Sequence, residues 1–217
     1  MRVLSAVGAV ALLIAGVASF DGAAAASPAP TVKIVVRPVT STGHVRAGFT
    51  VSGEPSGKVD CSFANPSPGA VSRNIEFCSP SFEYAVACWK AAAPHRVLCM
   101  RDPRRQHVVR IPRVGKFTST ALAPLVQRAP LAMKLGNGAV CSIRDGGAWS
   151  RLMSHPRWHG TYSCSNGTAV WAWPDAKHLG VNESHPSWTV HTAPISGHGT
   201  LVVRHVVKAW FVGTFQV

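Results

Sequence analysis

The chain has 217 residues, carries 22 Lys and Arg against 9 Asp and Glu for a formal charge of +13, and is 47% hydrophobic. That length and apolar share exclude a chain too short or too polar to bury a core, and suit one domain of fair size or two small ones. The charge opposes compaction by self-repulsion and favours association with polyanions.

Residues 1–26 run from a single basic residue, Arg2, through an apolar stretch from Val3 to Phe20 to an Ala-rich end at Ala24–Ala26. A basic start, an apolar middle and an A-x-A site are the order of a cleaved secretory signal peptide; the alternative is an uncleaved anchor. No cysteine stands at the cleavage region for a lipid anchor. Removal of 1–26 leaves 21 basic and 8 acidic side chains, so 21 − 8 keeps the charge at +13.

Segment 27–57 is rich in Pro, Gly and Ser and contains one β-branched run, TVKIVVRPV, that reads as a strand. Segment 58–128 is a Cys-rich basic subdomain. In it ACWKAAAPHRVLCM reads as two short strands joined at Ala93-Pro94-His95, HVVRIP as a third, and TSTALAPLVQRA as at most a short helical turn because of Pro124. Segment 129–217 is a β module. Asn137-Gly138 and Asn166-Gly167 each separate two apolar runs, a hairpin signal because both residues accept positive φ, and SWTVHTA and TLVVRHVVKAWFVGTFQV add two more strands. No run after residue 130 shows a 3.6-residue apolar period.

Six cysteines, Cys61, Cys78, Cys88, Cys99, Cys141 and Cys164, all lie beyond the leader. An even number in an exported chain without a C-x-x-C pair points to disulfides. Fifteen connectivities are open, and the local set Cys61–Cys78, Cys88–Cys99 and Cys141–Cys164 is favoured because each bond staples a hairpin-sized or loop-sized segment.

Two motifs raise catalytic questions. Ser-His-Pro-x-Trp occurs at Ser154 and again at Ser184. Neighbouring residues of an extended segment point to opposite faces, and no G-x-S-x-G elbow accompanies the serines, so a nucleophile and base pair is not expected there. His-Pro favours extended or turn backbone, and the repeat reads as turn grammar. His155 and His159 are four apart but share a face only on a helix, which Pro156 and Gly160 oppose, and no metal site is expected. The echo VLCMRDP and AVCSIRDG places Asp102 and Asp145 before turn formers, where an aspartate organises the turn.

The stretches MKLGNGAVCSIRDGG, GTYSCSNGTAVWAW, SWTVHTA and VVKAWFVGT, with ACWKAAAPHRVLCMRDP upstream, together resemble a Cys-rich C-terminal β module of uncharacterised secreted actinobacterial, including mycobacterial, proteins. The resemblance covers about residues 85–217. It implies export, pairing of Cys88 with Cys99 and of Cys141 with Cys164, and a compact β module. It implies no reaction. The longer segment between Cys141 and Cys164, holding SRLMSHPRWHG, departs from the pattern.

The densest charge lies between Arg96 and Lys116: Arg96, Arg101, Arg104, Arg105, Arg110, Arg113 and Lys116 against Asp102 alone. Arginine forks match phosphate and carboxylate, and Trp149, Trp158, Trp171 and Trp173 offer stacking faces. The sequence therefore predicts a mainly β, disulfide-stapled antiparallel sheet, small barrel or sandwich with little helix. It predicts an exported, envelope-associated, non-enzymatic protein that needs no cofactor and binds an anionic polymer or lipid surface through its basic face. No protein partner is inferable, and specific nucleic-acid binding is not expected. The rival readings are an extracellular hydrolase using His155 or His185 with Asp145 or Asp175, and a secreted host-interacting factor whose charge is incidental.

Overall fold

The computed structural model describes residues 27–53, 57–79, 85–144 and 151–216. Residues 1–26, read from the sequence as a signal peptide, Asp145 and Trp149 lie outside the described residues. Among the described residues the chain is mainly β, its only helical elements are two 3₁₀ turns at Leu125–Gln127 and Lys177–Gly180, and no helix is long and apolar enough to cross a membrane.

The strands are β1 (Val32–Thr40), β2 (Thr50–Ser52), β3 (Val59–Pro66), β4 (Glu76–Ser79), β5 (Ala87–Lys90), β6 (Arg96–Met100), β7 (His107–Val114), β8 (Ala132–Leu135), β9 (Val140–Ile143), β10 (His159–Cys164), β11 (Thr168–Ala172), β12 (Thr189–Pro194) and β13 (Val202–Phe215). Strands β8 to β13 pair antiparallel in chain order, and β13 returns to β8 with Ala209 opposite Met133, closing a six-stranded barrel. Closure removes the open edges that would otherwise invite pairing with other chains. Strands β3 to β7 form a second meander, which closes where β7 runs parallel to β3 at Val59 and Asp60. Segment 27–57 supplies a strand to each barrel: β1 lies parallel to β13, and β2 lies parallel to β7.

Period-2 alternation divides most of the buried apolar residues into three layers, beside a fourth, smaller cluster around Trp171. Val59, Cys61, Cys78, Cys88, Val97, Cys99, Val109 and Ile111 fill the interior of the N-terminal barrel. Their neighbours Ile75, Ala87, Trp89, Leu98, Met100 and Val108 face outward onto Val39, Leu131 and Val212, and this layer joins the barrels. Each large side chain buried there stabilises by about 1.5–3 kcal/mol, so the relation between the barrels is fixed by packing. Met133, Leu135, Tyr162, Val170, Trp188, Val190 and Val206 fill the C-terminal barrel, where the Tyr162 hydroxyl donates to the Pro130 carbonyl at 2.8 Å.

The disulfides are Cys61–Cys78, Cys88–Cys99 and Cys141–Cys164. The last two join residues directly opposite each other on neighbouring strands. Such bonds suit an oxidising, extracytoplasmic compartment.

Both Asn-Gly pairs do make hairpin turns, but only the glycines take positive φ, at 85° for Gly138 and 76° for Gly167. Gly138 N–H closes on Leu135 O and Gly167 N–H on Cys164 O, so the glycine ends the turn as in a three-residue loop with a bulge. The asparagines at negative φ accept from the chain two residues on, Asn137 Oδ1 from Ala139 N–H and Asn166 Oδ1 from Thr168 N–H. The 3₁₀ turn that follows Pro124 is the short helical turn expected between 118 and 129.

Candidate anion-binding cleft between the barrels

The loop from β6 to β7 carries Arg101, Asp102, Arg104 and Arg105, and its conformation is set by the aspartate. Asp102 Oδ1 accepts the Arg104 backbone N–H at 3.0 Å and the Arg104 Nε–H at 2.7 Å, while Oδ2 accepts from Arg104 Nη2 at 2.5 Å. Arg105 Nε stands 3.7 Å from the same carboxylate. Burial pushes the Asp102 carboxyl up, but Arg104's fork, its backbone N–H and the charge of Arg105 outweigh that and hold it below the ordinary range. Asp102 is thus a turn organiser that also orients two guanidinium groups.

This loop faces the C-terminal barrel across a cleft of about 490 Å³. One wall presents Arg101, Arg104, Arg105 and His107; the other presents Ser142, Ser163 and Ser165. Ser142 and Ser163 are direct cross-strand neighbours on β9 and β10, one residue from Cys141 and Cys164, which are joined. The Cys88–Cys99 bond likewise braces β6 just ahead of Arg101. A disulfide therefore stands behind each wall. Against one carboxylate the cleft holds three guanidinium groups, with serine hydroxyls opposite. Chemically, that array donates hydrogen bonds to phosphate, sulfate or carboxylate oxygens.

The basic segment read as one face in the sequence is divided by the hairpin. Arg96 pairs with Pro112 at the far end of β6 and β7, so Arg96, Arg113 and Lys116 lie at the opposite end of the barrel from the cleft. Arg113 Nη1 donates to the Gly115 carbonyl. Arg110 is exposed in mid-strand, opposite Leu98. Of the seven residues, Arg101, Arg104 and Arg105 are brought together. Ser142, Ser163, Ser165 and His107 were not singled out by sequence; the serines' only signal is that each flanks a cysteine.

The aromatic residues separate as well. Trp171 is fully buried, with its Nε1–H on the Ala193 carbonyl at 3.3 Å, and serves the core rather than a contact surface. Trp158 lies within 5.8 Å of Trp173 and 5.4 Å of His191, centroid to centroid, and His155 lies 5.1 Å from Trp158. The first Ser-His-Pro-x-Trp copy is thus part of a roof, in which Leu152 and Trp158 cover Trp171 and Ala193. In the second copy Trp188 enters the barrel core beneath the Lys33 ammonium. The two copies do different structural work.

His155 Nδ1 contacts its own neighbour Ser154 Oγ at 3.0 Å, and among the described residues no histidine bonds a carboxylate. Asp175 lines a groove with Trp173, His178 and Glu183. The one converging group of metal-ligand types among the described residues is Cys61, Glu76 and Cys78, whose sulfurs are already joined to each other. No family model matches the chain, and no curated protein or solved structure matches it.

Proposed function

We propose that this is an exported, non-enzymatic protein that binds an anionic polymer of the cell envelope, with the inter-barrel cleft as the site. The observation that carries the reading is the convergence of Arg101, Arg104, Arg105 and His107 on Ser142, Ser163 and Ser165 in a chain of +13. Long-range charge draws the polymer in, and the cleft then supplies oriented donors for its anionic groups. The leader-like segment 1–26, the disulfides and the resemblance to secreted actinobacterial proteins support export.

Co-sedimentation of the mature oxidised protein with isolated envelope polysaccharide and with anionic lipid vesicles, across a salt series, tests this. Binding to the polysaccharide that falls steeply with salt is the expected result. Absence of binding at every salt concentration would make the charge incidental and favour the reading as a secreted factor that acts on another partner.

A further inference from the structure

The two walls of the inter-barrel cleft differ in chemistry. On the loop from β6 to β7 the guanidinium groups of Arg101, Arg104 and Arg105 outnumber the carboxylate of Asp102 by 3 − 1 = 2 charges. Arg104 is closed onto Asp102 through Nε and Nη2, whereas the Arg105 side chain is 80% exposed and stands 3.7 Å from that carboxylate, within reach of a ligand. The facing wall, formed by Val140, Ser142, Ser163, Cys164 and Ser165, has no charged side chain.

Strand alternation fixes where the serine hydroxyls point. Cys141, Tyr162 and Cys164 lie in the core of the C-terminal barrel, so Ser142 and Ser163, each one residue away, face outward into the cleft. Both are partly exposed, and Ser165 is exposed. Direct cross-strand neighbours have Cβ atoms about 4.5–5.5 Å apart. One ligand hydroxyl can therefore accept from one serine and donate to the other, at about 2.8 Å from each. Ser165 Oγ accepts the Val140 N–H at 3.1 Å, which leaves its O–H to donate.

The cleft, at about 490 Å³, has the size of a site for a molecule rather than for a lone anion. A guanidinium only donates and is matched by an anionic oxygen; a hydroxyl donates and accepts and is matched by another hydroxyl. A ligand made of anionic oxygens alone would satisfy the arginine wall and leave the serine lone pairs without donors. A unit with an anionic group beside a free hydroxyl satisfies both walls. Two guanidinium charges in excess are more than one carboxylate takes up, and they match a phosphate monoester or two neighbouring diesters.

We propose that the cleft selects a phosphorylated sugar or polyol, with phosphate on the arginine wall and an adjacent hydroxyl on Ser142 and Ser163. This rests on the reading of the cleft as the anion site and assigns a role to its uncharged wall. Calorimetric titration of the mature oxidised protein with two synthetic hexamers tests it: one of 1,3-linked glycerol phosphate, the other of propane-1,3-diol phosphate, which has the same charges and spacing but no hydroxyl. The glycerol hexamer is expected to bind about tenfold more tightly, the worth of one or two hydrogen bonds. Ser142→Ala with Ser163→Ala removes that preference and leaves the propanediol hexamer's affinity unchanged, which also shows the variant to be folded; Ser165→Ala serves if the pair fails to fold. Arg101→Gln with Arg105→Gln weakens both hexamers. Equal binding of the two by the parent protein, or a preference that survives loss of the serines, would overturn the proposal and leave the anion reading standing. Tighter binding of a galacturonate hexamer would overturn the choice of phosphate. If neither phosphate hexamer binds at low salt, the anion reading falls with it.

Discussion

Glu76→Gln is expected to stabilise the protein by about 3 kcal/mol at pH 8 and to leave it unchanged near pH 4.5. Glu76 is fully buried beside the Cys61–Cys78 bond, and no side-chain donor bonds its carboxyl oxygens. Burial drives its pKa up, the charge of Arg113 and the Thr118 backbone oppose this, and the carboxyl titrates at about 7 instead of 4.5. The folded protein therefore holds this proton more tightly than the unfolded chain. Its stability contribution is complete below about pH 4.5, declines as pH rises through that window, and is lost above about 7. The interval between 4.5 and about 7, at roughly 1.4 kcal/mol per pH unit, gives the 3 kcal/mol. The substituted amide carries no charge at any pH, so the variant escapes this loss. Urea midpoints for both proteins at pH 4.5 and 8 measure the effect; a parent whose midpoint is the same at both values would show that Glu76 is not held protonated.

Loss of the Cys141–Cys164 bond is expected to have an effect of similar size and opposite sign. The paired substitution Cys141→Ser with Cys164→Ser frees a segment of 23 residues' separation and removes about 3 kcal/mol of stability in the chain-entropy picture. For a chain of this size that corresponds to a fall in Tm of roughly 6–12 °C. The same change loosens Ser142 and Ser163, which the bond holds side by side at the anion cleft. Thermal unfolding under oxidising conditions reads the stability, and salt-dependent binding of the polysaccharide reads the cleft. A variant with an unaltered Tm would show that barrel closure alone holds β9 to β10.

Much of the local structure was legible because its causes are local. The β-branched runs around Val35, Val108 and Val203 became strands, the Asn-Gly pairs became hairpin turns, and the paired cysteines are close in sequence. Barrel closure was not legible: Ala209 meets Met133 and Val32 meets Lys208 across long stretches of chain, and nothing near either residue announces its partner. The basic segment misled for a related reason. A run of charge in sequence is not a face when a hairpin folds it, and the register of Arg96 with Pro112 sends three of its seven cations to the far end of the barrel. The tryptophans show the same limit: Trp171 and Trp173 have the two-residue spacing of one strand face, but β11 ends at Ala172 and only Trp171 lies under the roof formed by Leu152 and Trp158. The inter-barrel cleft draws its walls from both barrels, so it could not be assembled from one segment.

The most direct measurement compares two charge-matched triple variants in binding to one anionic envelope polysaccharide across a salt series. One replaces Arg101, Arg104 and Arg105 with Gln at the cleft; the other replaces Arg96, Arg113 and Lys116 with Gln at the far end. Both lower the net charge equally, from +13 to +10 as 13 − 3. If the cleft is the site, the first loses on the order of tenfold or more in affinity and has a shallower salt dependence, because ion contacts are gone, while the second stays near the parent. Equal losses in the two variants would contradict a defined site and leave only diffuse attraction by the whole positive surface.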